Sequence, residues 1–223
     1  MIAVIQCAGT KRTHAGRLVA KDGKPVKFVA DPLGAPPNDT VVYARPDDPS
    51  DRDMSWREML REYNRDNRGN PLKLLPAWEL YNNRVYGRLV GNYGIGNVYI
   101  LSAGWGLIAA SFLTPDYDIT FSNVKNLDRY KRRGKKDRYE DFRMLPADTC
   151  EPVVFFGGKD YLPLFAKLTE SVKGRRTVFY NSKNIPDLHG CTLRRFETDA
   201  STNWHYLCAN AFLDGQVRLD AGR

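Results

Sequence analysis

Four short apolar segments, each running into small or polar residues, limit what this chain can fold into. They are Ile2–Gln6 (IAVIQ), Val98–Ser102 (VYILS), residues 152–156 (PVVFF) and residues 177–180 (TVFY). All are rich in β-branched or aromatic residues and apolar on both faces, the pattern of strands covered by helices on both sides of a sheet. The residues that follow them are CAGTKR, AGWG, GGKD and NSKN. Ligands of open α/β sheets bind beyond the carboxyl ends of the strands, so four such endings predict a shared cleft. The fold class expected is α/β, with a central, mainly parallel sheet of about four strands flanked by helices.

The intervening chain predicts helices and one excursion. "SWREMLREYNRD" starts with Ser55, a good N-cap, and sets Trp56, Met59, Leu60 and Tyr63 on one face. "LLPAWELYNNRVYGRLVGNYG" reads as a second helix, with Pro76 in its first turn and glycine at its end. Further helices are expected over 160–172 and 201–213. Residues 17–30 alternate about Asp22-Gly23 as a β-hairpin does, and 38–53 reads as loop. A single α/β domain over 1–223, with an insertion at about 13–54 that holds the hairpin, accommodates all of this.

Charge narrows the partners. The 223 residues carry 34 Lys and Arg against 26 Asp and Glu, a formal net charge of +8 that favours polyanions. No run approaches the roughly 18 apolar residues of a membrane span. The opening MIAVIQCAGTKR is too short and too soon interrupted for a signal peptide, so a cytoplasmic protein is expected. Neither a membrane nor an obligate protein partner is indicated. Four cysteines and three histidines show neither CxxC nor zinc-finger spacing, so reduced thiols are expected, with no metal and no other cofactor. The basic residues are unevenly spread: "KNLDRYKRRGKKDR", 125–138, holds eight in fourteen. Lys125, Arg129, Lys131, Arg132, Arg133, Lys135 and Lys136, together with Arg12, form the expected nucleic-acid-binding set. Such residues hold phosphates by charge and counterion release, and Tyr130 and Tyr139 offer rings for stacking. DNA is preferred to RNA as the partner.

The strand endings supply candidate chemistry. After the first strand come Cys7, Gly9, Thr10 and Lys11, a turn able to hold a phosphate or a base edge. It has neither GxxxxGK[ST] nor GxGxxG spacing, which argues against triphosphate hydrolysis. After the second, Ser102 and the glycines of AGWG leave space, with Trp105 as a flat wall. Asp116 and Asp118 then flank Tyr117, and in extended chain the carboxylates point one way and the ring the other. A carboxylate facing a pocket could activate water or stabilise a cationic transition state, while Tyr117 could stack on a base or fasten the loop. Glu79, between Trp78 and Tyr81, and Asp160, after Gly157-Gly158-Lys159, are the other candidate acids, although capping alone accounts for Asp160. Asn181 could read a Watson–Crick edge or simply hold its turn.

"LYNNRVYGRL" followed by "YILSAGWGLIAASFLTPDYDITFS" resembles the YaaA-like superfamily of peroxide-stress proteins. The matching positions are Cys7, Lys11, Leu80, Tyr81, Leu101, Ser102, Gly106, Leu107, Tyr117 and Asp118, over about half the chain. Trp105 stands where relatives usually carry Tyr or Phe, and the hairpin excursion before Ser55 lies outside the pattern. The resemblance implies DNA binding linked to DNA protection. A weaker, topological resemblance is to the uracil-DNA glycosylase class, although QCAGTKR lacks that class's carboxylate at the first strand end.

The leading expectation is therefore a DNA glycosylase-like enzyme. It would hydrolyse the N-glycosidic bond of a modified or damaged base flipped into the cleft, a base of virus-modified DNA included. Asp118, Glu79 or Asp160 would be the catalytic carboxylate. Cys7, Gly9, Thr10, Lys11, Ser102, Trp105, Tyr117 and Asn181 would contact substrate. The alternative is a non-catalytic DNA-binding protein of stress response, and a third class acts on free nucleosides or nucleotides.

Overall fold

The computed structural model describes residues 1–66, 69–122, 127–134 and 136–219. In chain order its strands and helices are β1 (Ile2–Gln6), β2 (Val26–Val29), β3 (Val42–Ala44), α1 (Trp56–Arg65), β4 (Leu75–Pro76), α2 (Ala77–Leu80) and α3 (Arg84–Tyr93). There follow β5 (Val98–Ser102), β6 (Gly106–Ala109), β7 (Leu113–Thr114), β8 (Tyr117–Asp118), β9 (Phe142–Arg143) and β10 (Val153–Phe156). The last elements are α4 (Leu162–Thr169), β11 (Arg176–Tyr180), β12 (Cys191–Arg195) and α5 (Trp204–Leu213).

The apolar segments pair as their two-faced burial requires. A seven-stranded sheet runs β12-β11-β10-β1-β5-β6-β9, and its first five strands are mutually parallel. From β1 the chain crosses to β5 on one side, then returns to β10 on the other and steps outward through β11 and β12. The order reverses between β1 and β10, so the loops leaving those two strands diverge and open a crevice. Neighbouring residues of β10 serve opposite faces: Phe155 stacks on Phe165 of α4 at 4.5 Å, and Phe156 meets Phe212 of α5 at 5.4 Å. The expected α/β class holds, with seven strands in the main sheet rather than about four.

Three local expectations change. The 17–30 hairpin shrinks to one antiparallel bridge, Val19 to Pro25. Pro25 has no N–H to extend that ladder. Val26–Val29 instead joins a small parallel sheet, between β3 and β8. The helix expected from LLPAWELYNNRVYG is broken after Leu80: Asn83 caps α3 by accepting from the Val85 amide at 3.0 Å, and the Asn82 amide donates to the Thr10 carbonyl at 3.1 Å. The strand end after β1 is thereby laid along the α2–α3 junction, with Lys11 and Tyr81 bridged. Lastly, Asp160 does not cap a helix, since the N-cap of its short 3₁₀ turn is Gly158 and α4 begins at Leu162.

Candidate functional site

The ends of β1 and β10 are tied across the crevice. Gln6 Oε1 accepts from the Gly158 amide at 2.6 Å, and Cys7 Sγ lies 3.2 Å from the Tyr161 hydroxyl. Behind them, Tyr117 Oη accepts from Ser102 Oγ at 2.8 Å and lies 2.9 Å from Tyr81 Oη. Tyr86 Oη donates to the Gln6 carbonyl at 2.8 Å. Burial, reinforced by the Cys7 thiol nearby, raises the Tyr81, Tyr117 and Tyr161 phenols well above their ordinary range, and burial acts likewise on Tyr86. They therefore act as neutral hydrogen-bonding groups. The strand ends converge as the sequence suggested, but phenols fill the centre where a hollow was expected.

The AGWG segment belongs to this packing and not to a wall. After β5 the chain turns straight back into β6, with Ser102 opposite Gly106. Ser102 Oγ accepts from the amides of Gly104 and Trp105 at 3.2 and 3.0 Å. Trp105 is wholly buried among Phe28, Tyr117 and Phe142, so it presents no face to a base. The glycines are there for close approach: a Cβ on Gly104 would meet the Tyr117 ring at 3.1 Å, and Gly106 has a φ of 87°. Two buried arginines grip the same turn. Arg57 donates to the carbonyls of Gly104 and Trp105 at 3.1 and 3.0 Å and pairs with Asp47. Arg133 donates to the Ala103 carbonyl at 2.8 Å and forms a bidentate pair with Asp141. Arg133 was expected on DNA; its guanidinium is instead buried over the Tyr139 ring at 3.8 Å. Tyr117 and Ser102 are likewise buried and fasten the loop, and Cys7 is buried beside Tyr161.

β8 alternates as expected, with Tyr117 inward and the carboxylates on either side of it outward. Asp116 pairs with Arg17 at 3.0 Å. Asp118, half-buried, lies between Lys27 at 3.3 Å and Lys131 at 3.4 Å. Partial burial would raise its carboxyl, but the charges of Lys131, Lys27 and Lys11 outweigh that and hold it below the ordinary value. Burial pulls the Lys131 amine down, yet Asp128 and Asp118 keep it above its ordinary range. Lys11 is half-buried, its Nζ 4.1 Å from the centre of the Tyr117 ring and 3.4 Å from the Gly9 carbonyl.

Open space lies beside this cluster. A cleft of about 780 Å³ is lined by Phe121, Arg129, Arg132, Arg133, Gly134, Lys159 and Asp160. It runs between the loop leaving β10 and the basic segment, and the Phe121 ring lies 5.1 Å from that of Tyr161. Arg133 is neutralised by Asp141, which leaves Arg129, Arg132 and Lys159, all exposed, as its basic rim. A second cavity, about 410 Å³, lies at the ends of β10 and β11 and shares Lys159 and Asp160; Asn181, Ser182 and Trp204 help to line it. Among the described residues, Asp160 is the carboxylate lining both. Asp118 and Glu79 line neither, and Arg12 Nε caps the Glu79 carbonyl at 2.8 Å. Asn181 Nδ2 donates to the Ala200 carbonyl at 3.1 Å, holding its turn. Gly9, Thr10, Arg12 and Lys136 are exposed. Lys125 and Lys135 lie outside the described residues.

Among the described residues no group of three His, Cys, Asp or Glu side chains could hold a metal ion, and no helix is long and apolar enough to cross a membrane. No family model, curated protein or solved structure matches the chain. Sequence reasoning missed Tyr161, Arg57 and Asp141. The first had a signal, an aromatic residue in a glycine-led strand ending; a buried arginine on a helix flank had none.

Proposed function

We propose that the protein binds DNA across the cleft and hydrolyses the N-glycosidic bond of an extruded modified base, as a DNA glycosylase does. One observation carries the reading: the cleft adjoins the switch point of a parallel sheet, with three exposed basic side chains and a carboxylate in its lining. Arg129, Arg132 and Lys159 hold backbone phosphates. Asp160 directs water at the anomeric carbon or offsets the developing sugar cation. Of the three carboxylates considered, Asp160 takes that role because it lines the cleft, whereas Asp118 and Glu79 do not. The nucleotide must leave the stack to present its glycosidic bond, and the volume beside Phe121 accepts an extruded ring.

The test is mass spectrometry of bases released from a panel of natural and virus-modified DNAs. Release by the wild type, lost in Asp160→Asn with DNA binding retained, supports the reading. No abasic site in any DNA tested, or full excision by the variant, sinks it. A second reading, a non-catalytic DNA-binding protein of stress response, draws on the many strand-end groups already paired with one another. It predicts that Asp160→Asn leaves DNA binding unchanged or tighter and that no chemistry is there to lose.

A further inference from the structure

Lys159 also lines a third open space, which the glycosidic reading leaves idle. This groove, of about 540 Å³, runs between α4 and the β11–β12 connection. Leu162 and Ala166 of α4 and Pro186 and Leu188 of the connection give it apolar walls. Lys159, Lys167 and Arg176 supply its cations. The two lysines are exposed, while Arg176 is half-buried and donates to Thr169 Oγ1 at 3.3 Å. Two carboxylates line the groove as well, but Glu170 is paired with Arg143 at 3.2 Å and Asp187 is exposed beside His189. Positive charge over an apolar wall is therefore what the groove offers a ligand.

The groove is continuous with the two cavities at the strand ends. Lys159 lines all three, and Leu162 and Pro186 also line the cavity at the ends of β10 and β11. Each sets a cation against an apolar or aromatic side chain: Phe121 in the cleft, Trp204 in the second cavity, Leu162 and Leu188 in the groove. An unpaired strand of DNA has the matching alternation, one charge per nucleotide and a flat base face able to lie on such a wall. A duplex lacks it, because its base faces are stacked inward and only edges and phosphates reach a protein.

We propose that the groove is a nucleotide subsite that takes the unpaired nucleotide next to the extruded one, so that the protein engages its DNA as a single strand. The phosphate lies among Lys159, Lys167 and Arg176, and the base lies against Leu162, Ala166, Pro186 and Leu188. Lys159, common to cleft and groove, stands between successive phosphates. The inference rests on the DNA-binding part of the reading above and not on its chemistry.

The experiment uses the full chain and unmodified, fluorescently labelled oligonucleotides in anisotropy titrations. A thymidine oligonucleotide is compared with a duplex of the same length, and thymidine monophosphate serves as competitor. The single strand should bind about tenfold more tightly than the duplex, roughly the worth of one base face in contact. Lys167→Ala should lower the log–log salt slope of single-strand binding by about 0.7, one phosphate contact. Lys173→Ala, on an exposed cation off the groove, should keep the wild-type slope. Leu188→Ser should weaken binding at an unchanged slope, since an apolar contact releases no counterion. Duplex binding as tight as single-strand binding, monophosphate binding as tight as the oligonucleotide, or a slope that Lys167→Ala leaves unchanged overturns the proposal. So does an equal drop in slope for Lys173→Ala. Lys167 is exposed on α4, so its variant decides the matter even where Leu188→Ser does not fold. Single-strand preference with these losses, but no base released from any DNA, would refute the glycosidic reading alone; base release with duplex preference would refute this proposal alone.

Discussion

Arg133 and Asp141 take opposite charges almost fully out of water, with side-chain exposures of 4% and 1%. Two parallel hydrogen bonds of 2.8 and 2.7 Å, with the Ala103 carbonyl and the Tyr139 face, compensate the guanidinium. Truncating one partner leaves the other charged and dry, so Asp141→Ala should lower unfolding free energy by about 3–5 kcal/mol. The double variant Arg133→Met, Asp141→Leu should lose much less, and urea midpoints of both check it. His205 makes a different prediction. It is buried with Nε2 unpartnered, and burial lowers its pKa to about 4 from 6.5. Its neutral form is the one the fold accepts, so its contribution is fully present above pH 6.5 and is lost as pH falls from there through about 4. The gap corresponds to about 3 kcal/mol. Denaturation across that window should show a slope that His205→Leu flattens; an equal slope in both proteins would refute the assignment.

Among the elements, the β5–β6 turn is where glycine is required rather than tolerated. An added Cβ on Gly106 would meet Asp141 Cβ and Phe142 backbone at 2.7 Å, on a residue already at φ 87°. Gly106→Ala should therefore cost about 2 kcal/mol or more, through backbone strain and overpacking together. Gly23, at φ 85° but facing open space, is the control, with about 1 kcal/mol expected from conformation alone. Equal losses in thermal unfolding would refute the packing argument. The same turn explains what the sequence could and could not tell. β1, β5, β10 and β11 were legible because strands buried on both faces have no polar face to confuse their pattern. β12, CTLRR, was not, because every residue of this edge strand is partly or fully exposed and no buried apolar run marks it. The small sheet of β2, β3 and β8 was hidden for another reason: its partners lie far apart in the chain and are two to four residues long. Trp105 was misread because an apolar run ending in glycine looks alike whether the chain opens into a loop or doubles back. The basic run divides by environment, which composition does not report: Arg133 goes inward, Lys131 pairs with Asp118 and Asp128, and Arg129 and Arg132 face the cleft.

Over the whole molecule, the excess of +8 matters only through where it is left uncompensated. Internal pairs silence several cations, among them Arg57 with Asp47, Arg133 with Asp141 and Arg17 with Asp116. The rim formed by Arg129, Arg132 and Lys159 remains turned to solvent across one cleft, at the one place where the sheet's connections diverge. A polyanion binding there releases counterions for each phosphate neutralised, and for duplex DNA log affinity falls with log salt at about 0.9 per contact. Replacing all three with alanine should reduce that slope by about 2–3 and weaken binding most at low salt. Replacing Lys24, Arg65 and Lys173, exposed cations that do not line the cleft, removes the same formal charge from elsewhere. If general electrostatic attraction governs binding, the two triple variants behave alike. If the cleft is the binding surface, the first loses its slope and the second keeps it, a difference that fluorescence anisotropy titrations at several salt concentrations read directly.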